Sequence, residues 1–119
     1  MKGVQFEYNC GAAVLKYKNS KKEQTFIYFL NKIVDSWIQI NPDKIFEEND
    51  LGKLKILLLL FFTVASSVKI EDEGLLSVFD NFIAVPHGHI EGDIHDLIGY
   101  RKGRFGKWLI TDKRIEIIK

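Results

Sequence analysis

The residue types best suited to chemistry crowd into one stretch, residues 84–98. It holds all three histidines of the chain, His87, His89 and His95, together with Glu91, Asp93 and Asp96. Imidazoles and carboxylates are the usual nitrogen and oxygen ligands of zinc and its neighbours. Read as a helix from about His89 to Tyr100, the segment carries an apolar stripe of Ile90, Ile94, Leu97 and Ile98. At about 100° per residue, His89, Asp93 and Asp96 fall on one flank of that stripe, and Glu91 and His95 on the other. His87, just upstream, would complete a metal set of His87, His89, Asp93 and Asp96. The spacing is not His-Glu-x-x-His, and no cysteine is close. Carboxylates in the first turns of a helix are also favoured by its dipole without any metal. A solvated helix start is therefore the expected reading, no cofactor is expected, and a metal-binding hydrolase or sensor is the alternative.

Other chemical signals are thinner. Cys10, the single cysteine, has no sequence neighbour that would orient a base toward it, and beside Gly11 it reads as a small apolar residue. No serine sits in a Gly-x-Ser-x-Gly elbow. The run Gly103-Arg104-Phe105-Gly106-Lys107 looks like a phosphate loop, but Arg101 stands where the first glycine belongs and Trp108 where serine or threonine belongs. What remains is a local basic patch, Arg101, Lys102, Arg104 and Lys107, interleaved with Tyr100, Phe105 and Trp108. Such a mixture suits a nucleic-acid strand or an acidic protein partner. With a formal net charge of +1, no global field favours nucleic acid, which stays a secondary reading.

The elements that must position these residues follow from periodicity. Val4, Phe6 and Tyr8 alternate ahead of an Asn9-Cys10-Gly11 turn, which predicts an N-terminal hairpin. Ser20-Lys21-Lys22-Glu23 has the form of a capping box. Behind it Phe26, Phe29, Leu30, Ile33, Val34 and Trp37 define a helix face that Asn41-Pro42 ends. Residues 43–50 form an acidic connector in which Asn49 or Asp50 caps a second helix from about Leu51 to Ser66. Its middle, Ile56 to Phe62, is apolar all round and predicts a buried central helix. Lys53 and Lys55 near its start oppose the dipole and so stand out as partner contacts. Phe82–Val85 reads as a short strand broken by Pro86-His87-Gly88, and Trp108–Lys119 as a hairpin around Thr111–Arg114. The expected fold is mainly α, a compact helical domain around one buried central helix, with small hairpins near both termini.

With 119 residues the chain is the size of one domain. Its 46% apolar and 28% charged composition is that of an ordinary globular protein. Residues 1–20 lack the apolar run of a signal peptide, and Ile56–Val68 is too short to span a bilayer, so a cytoplasmic protein with no membrane partner is expected. An apolar surface that one small domain leaves uncovered keeps homodimerisation open.

Over about residues 26–98 the order of features resembles the Panacea domain, the SocA-like antitoxin family. The resemblance rests on Leu51-Gly52-Lys53-Leu54-Lys55-Ile56-Leu57-Leu58, Val78-Phe79-Asp80, Ala84-Val85-Pro86-His87-Gly88-His89-Ile90 and Glu91-Gly92-Asp93-Ile94-His95-Asp96. His87 and His95 stand where that pattern has tyrosine, and His89 where it has proline. The resemblance implies a non-enzymatic protein, a single domain over 1–119, that neutralises a cognate protein toxin by direct contact. It also implies an adaptor role that presents the toxin to a protease complex. On this reading the partner-binding residues are Pro86, His87, Gly88, His89, Glu91, Asp93 and Asp96, with Arg101, Arg104 and Trp108 as a second contact.

Overall fold

The computed structural model describes residues 20–69, 72 and 74–118; the expected N-terminal hairpin lies outside them. The chain runs α1 (Ser20–Ile40), a 3₁₀ turn (Phe46–Glu48), α2 (Lys53–Ser67), a second 3₁₀ turn (Gly74–Ser77), β1 (Phe82–Val85), β2 (Gly88–Glu91), α3 (Gly92–Tyr100), β3 (Arg104–Phe105), β4 (Trp108–Ile110) and β5 (Ile115–Ile117). Strands β1 and β2 form one antiparallel ladder and β3-β4-β5 another. Helical turns take 54% of the described residues and strand 19%. The fold is therefore a small α+β arrangement, and the expectation of a mainly α domain around a central helix is overturned. Its physical reason is that two short ladders, not further helices, cover the apolar faces.

α1 follows the periodicity that predicts it: Phe26, Leu30 and Val34 are buried, and Phe29, Ile33 and Trp37 pack half-buried beside them. α2 departs from expectation. Ile56, Leu57, Leu60 and Val64 form one buried face, whereas Leu54 is 42% and Phe62 64% exposed. A helix apolar all round is thus buried on one side only, and its other side reaches the surface near β2. Lys55 donates to Asp50 at 2.6 Å, a local pair that accounts for its place in the first turn. Hydrogen bonding to Lys55 also holds the Asp50 carboxyl below its ordinary value.

The C-terminal ladder presents Phe105, Trp108, Ile110 and Ile115 to the core, where Phe105 meets Phe26 edge-on at 5.1 Å. The hairpin expected at Trp108–Lys119 is the β4–β5 pair, with Ile110 opposite Ile115; β3 widens it to three strands. Asn49, expected as a helix cap, does something else. It is buried, and its side-chain amide donates to the carbonyls of Phe46 and Ile115 while its oxygen accepts from the amides of Leu51 and Ile115. Both donors and both lone-pair directions are satisfied, and the side chain stands beside Ile115 as a neighbouring strand would. The cap of α2 falls to Gly52, where a Cβ would collide with the Asp112 carbonyl.

Replacing Asn49 with Ala strips the backbone groups of Ile115 and Leu51 of buried partners. An expected loss of about 2–4 kcal/mol follows, read as a lower urea midpoint with an unchanged m-value.

Candidate functional site

The segment expected to be one helix from His89 to Tyr100 begins as strand, with His89, Ile90 and Glu91 in β2. Pro86-His87 turns the chain, and β2 pairs with β1 in the register Phe82–Glu91, Ile83–Ile90, Ala84–His89 and Val85–Gly88. Gly88 makes the turn at φ +141°, where a Cβ would press on Leu58. Replacing Gly88 would therefore strain the hairpin as well as alter its surface. α3 begins only at Gly92, so His89 and Glu91 are not on it, and the helical flank His89-Asp93-Asp96 does not exist.

Glu91 explains where the helix starts. Its side chain is fully buried at 0% exposure. Oε1 accepts from the Ile94 amide at 3.0 Å, which makes Glu91 the cap of α3. Oε2 accepts from the Asn81 amide at 3.1 Å, fixing the chain just before β1, and from Lys22 Nζ at 2.8 Å. A carboxylate at this end is also favoured by the α3 dipole. Lys22, in the first turns of α1 and 6% exposed, additionally donates to Asp93 at 2.7 Å and to Asp80 at 3.1 Å. Asn81 Nδ2 donates to the other Asp93 oxygen at 2.9 Å. Burial opposes the Lys22 charge, but its hydrogen bonds to Asp93, Glu91 and Asp80 outweigh that effect and hold its pKa well above the ordinary lysine value.

Among the described residues, the set of His, Cys, Asp and Glu side chains close enough to share an ion is Asp80, Glu91 and Asp93, with ligand atoms within 4.8 Å of one another. It contains no histidine, and the Lys22 ammonium bonds to all three carboxylates. The chain's own cation thus occupies the position a metal would take. The proposed set of His87, His89, Asp93 and Asp96 is dispersed. His89 stacks on Phe61 at 5.0 Å and 23°, Asp93 belongs to the Lys22 cluster, and exposed Asp96 meets His95 Nδ1 at 3.2 Å. His87 and His95 instead line a shallow cleft of about 360 Å³ with Lys53 and Asp112.

Of the expected partner contacts, Glu91 and Trp108 are corrected: both are buried, so neither is available to a partner. Trp108 donates through Nε1 to Asn31 at 2.8 Å and lies under Lys107, whose Nζ is 4.8 Å from the ring centre. Arg101 is half-buried in a 2.6 Å ion pair with Glu23. Arg104, Lys102 and the turn residues Pro86 and His87 remain exposed. Sequence reading missed Phe61, Phe62 and Phe82, whose rings form a chain of edge-on contacts, 5.5 and 5.4 Å from Phe61, that ends at His89. Their apolar character pointed to core, and only the placement of β2 against α2 leaves them at the rim. Lys22 was also missed; its signal was its place one turn ahead of a long apolar face, where a lysine is ordinarily solvated.

Removing Lys22 leaves three carboxylates around an uncompensated buried site. Lys22→Met should cost about 3–5 kcal/mol at pH 7, measured by chemical denaturation. Because the folded pKa of Lys22 is raised, its contribution is whole below the unfolded value of about 10.4 and is lost as pH rises beyond it. The stability gap between wild type and Lys22→Met should therefore stay flat from about pH 7 to 10 and narrow above that.

Comparison with protein-family models, curated proteins and solved structures finds no match for this chain.

Proposed function

We propose that the chain is a protein-binding module of the antitoxin type, which neutralises a cognate toxin by direct contact through the β1–β2 hairpin and the adjoining face of α2. The observation that carries this reading is the aromatic ledge there. Phe62 is 64% exposed, and its ring is joined through Phe61 to the rings of Phe82 and His89. Large apolar and aromatic side chains clustered at a surface favour a protein partner, and backbone held on a buried ionic anchor loses little freedom when bound. The resemblance over residues 26–98 supports naming that partner as a toxin, with delivery to a protease complex as its extension.

Features of the site favour binding over chemistry. Among the described residues no histidine hydrogen-bonds a serine or threonine hydroxyl. A metal-dependent reading would need His87, His89, Asp93 and Asp96 to converge, and each lies in a different environment. Nucleic-acid binding would draw on Phe105 and Trp108 as stacking platforms, yet both rings are committed to the core.

A tagged pull-down from the native host, read by mass spectrometry, tests the proposal. A stoichiometric companion whose expression alone arrests growth, and which this chain relieves, is the expected result. Phe62→Glu, a change at an exposed ring, should weaken capture by about tenfold or more with the melting temperature unchanged. Absence of any companion, or capture indifferent to Phe62→Glu, would contradict it.

A further inference from the structure

One edge of β1 has no strand beside it among the described residues. The Gly92 amide donates to the Asn81 carbonyl at 2.7 Å, and hydrogen-bonded positions alternate along an antiparallel pair. The register of β1 on β2 therefore makes Ile83–Ile90 and Val85–Gly88 the next hydrogen-bonded pairs. Phe82 and Ala84 lie between them and turn their N–H and C=O groups away from β2. Among the described residues nothing hydrogen-bonds to those four groups. β2 is the strand that lies on α2, so β1 is the outer one. Its Ile83 is 45% exposed, and Ala84 is exposed too.

Edge strands ordinarily carry a charge, a proline or a cover that stops them pairing with another chain. Asn49 covers β5 in this way at Ile115. Phe82-Ile83-Ala84-Val85 holds neither charge nor proline, and the strand is complementary to itself. Antiparallel pairing about a two-fold axis at Ile83 sets Phe82 of each copy opposite Ala84 of the other. All four outward backbone groups are then bonded, a large side chain faces a small one, and the two Ile83 side chains meet on the axis. Asp80 falls opposite the copy's Pro86, so no like charges meet. Other registers fit less well. A shift of two residues one way sets Phe82 against Pro86, which has no N–H to give. The opposite shift sets ring against ring and Ala84 against Asp80, and parallel pairing brings the two Asp80 carboxylates side by side.

We propose that a second copy of this chain covers the β1 edge, joining two hairpins into one four-stranded antiparallel sheet with strand order β2-β1-β1-β2 and a two-fold axis at Ile83. Such an interface is isologous and closes at two copies. A two-stranded hairpin is marginal in water, whereas a wider sheet is not, so the pairing also supports each hairpin. The inference goes beyond the partner-binding reading and does not depend on it, because it uses the backbone edge of β1 and not the exposed ring of Phe62 on α2.

Sedimentation of the purified full chain over a range of concentrations tests it. The edge is short and the interface small, so a monomer–dimer equilibrium is expected at about 10–100 μM. Ile83→Lys places like charges on the axis and should weaken the dimer by about tenfold or more. Its melting temperature at low concentration should match that of wild type, because Ile83 is exposed. Ala84→Pro removes one outward N–H, a change that an edge strand tolerates, and should weaken the dimer as well. The register is read from disulfides in a Cys10→Ser background. Directly opposed, non-hydrogen-bonded positions stand about 4.5 Å apart at Cα, within disulfide reach, so Ile83→Cys should bridge two copies on mild oxidation. Ala84→Cys, whose copies stand diagonally, should bridge about tenfold more slowly or less. A monomer up to about 500 μM, a dimer indifferent to Ile83→Lys, or equal bridging at both cysteines would overturn the proposal. So would a monomer whose Phe82 and Ala84 amides resist hydrogen exchange, since another part of the chain would then cover the edge. Phe62→Glu should leave the dimer intact, so this inference and the partner-binding reading fail separately.

Discussion

One buried ion pair organises the part of this molecule that carries the β1–β2 hairpin and α3. Glu91 has no exposure to water, and a carboxylate in that position is tolerated only when its charge is matched and its lone pairs are used. Lys22 supplies the charge from α1, while the amides of Asn81 and Ile94 supply bonds from either side of the β1–β2 hairpin. A single side chain therefore fixes three things at once: where β1 begins, where α3 begins, and how both sit against the first helix. Asp80 and Asp93 complete the shell around the lysine. Replacement of the whole cluster by apolar residues would be a different matter from breaking it, because desolvation of the ions offsets much of their attraction. The ionic solution adds direction, since hydrogen bonds fix angles that apolar packing leaves loose.

That direction matters for the surface above. The hairpin is only two strands wide, and an isolated hairpin is marginal in water. Its support comes from β2 lying on α2 and from Glu91 at its base. Aromatic side chains can then stay at the rim without collapsing inward, because the backbone beneath them is already held. The second ladder works differently: it is fastened by apolar packing, with Phe105 against Phe26 and Asn49 closing its outer edge at Ile115. The local basic patch is partly spent on the chain itself, with Arg101 on Glu23 and Lys107 on the Trp108 ring.

Some of this was legible in the sequence. The repeat from Phe26 to Trp37 specifies α1 and its buried face, since helical spacing over several turns is hard to mimic. Phe82–Val85 as a strand and the C-terminal hairpin were legible from alternation and turn residues. The start of α3 was not. Ile90 and Ile94 stand four apart and so satisfy a helical pattern, yet Ile90 is placed by strand pairing and Ile94 by the helix. A short apolar run fits both periods. The roles of Lys22, Asn49 and Glu91 were hidden for another reason: polar residues are ordinarily solvated, and only the three-dimensional meeting of α1 with the hairpin base reveals burial. The histidine cluster misled by density. Its members are neighbours in sequence, but a turn, a strand and a helix carry them to different surfaces.

Hydrogen–deuterium exchange of Lys22→Met against wild type, followed residue by residue under native conditions, tests the central role of the buried pair most directly. If Lys22 anchors the hairpin, the amides of Asn81 and Ile94 and those across β1 and β2 lose protection, while Phe105, Ile110 and Ile115 in the second ladder keep theirs once global destabilisation is subtracted. Uniform loss across both ladders, or unchanged protection at Asn81 and Ile94, would contradict that role and move the support of the hairpin to the apolar contacts of α2.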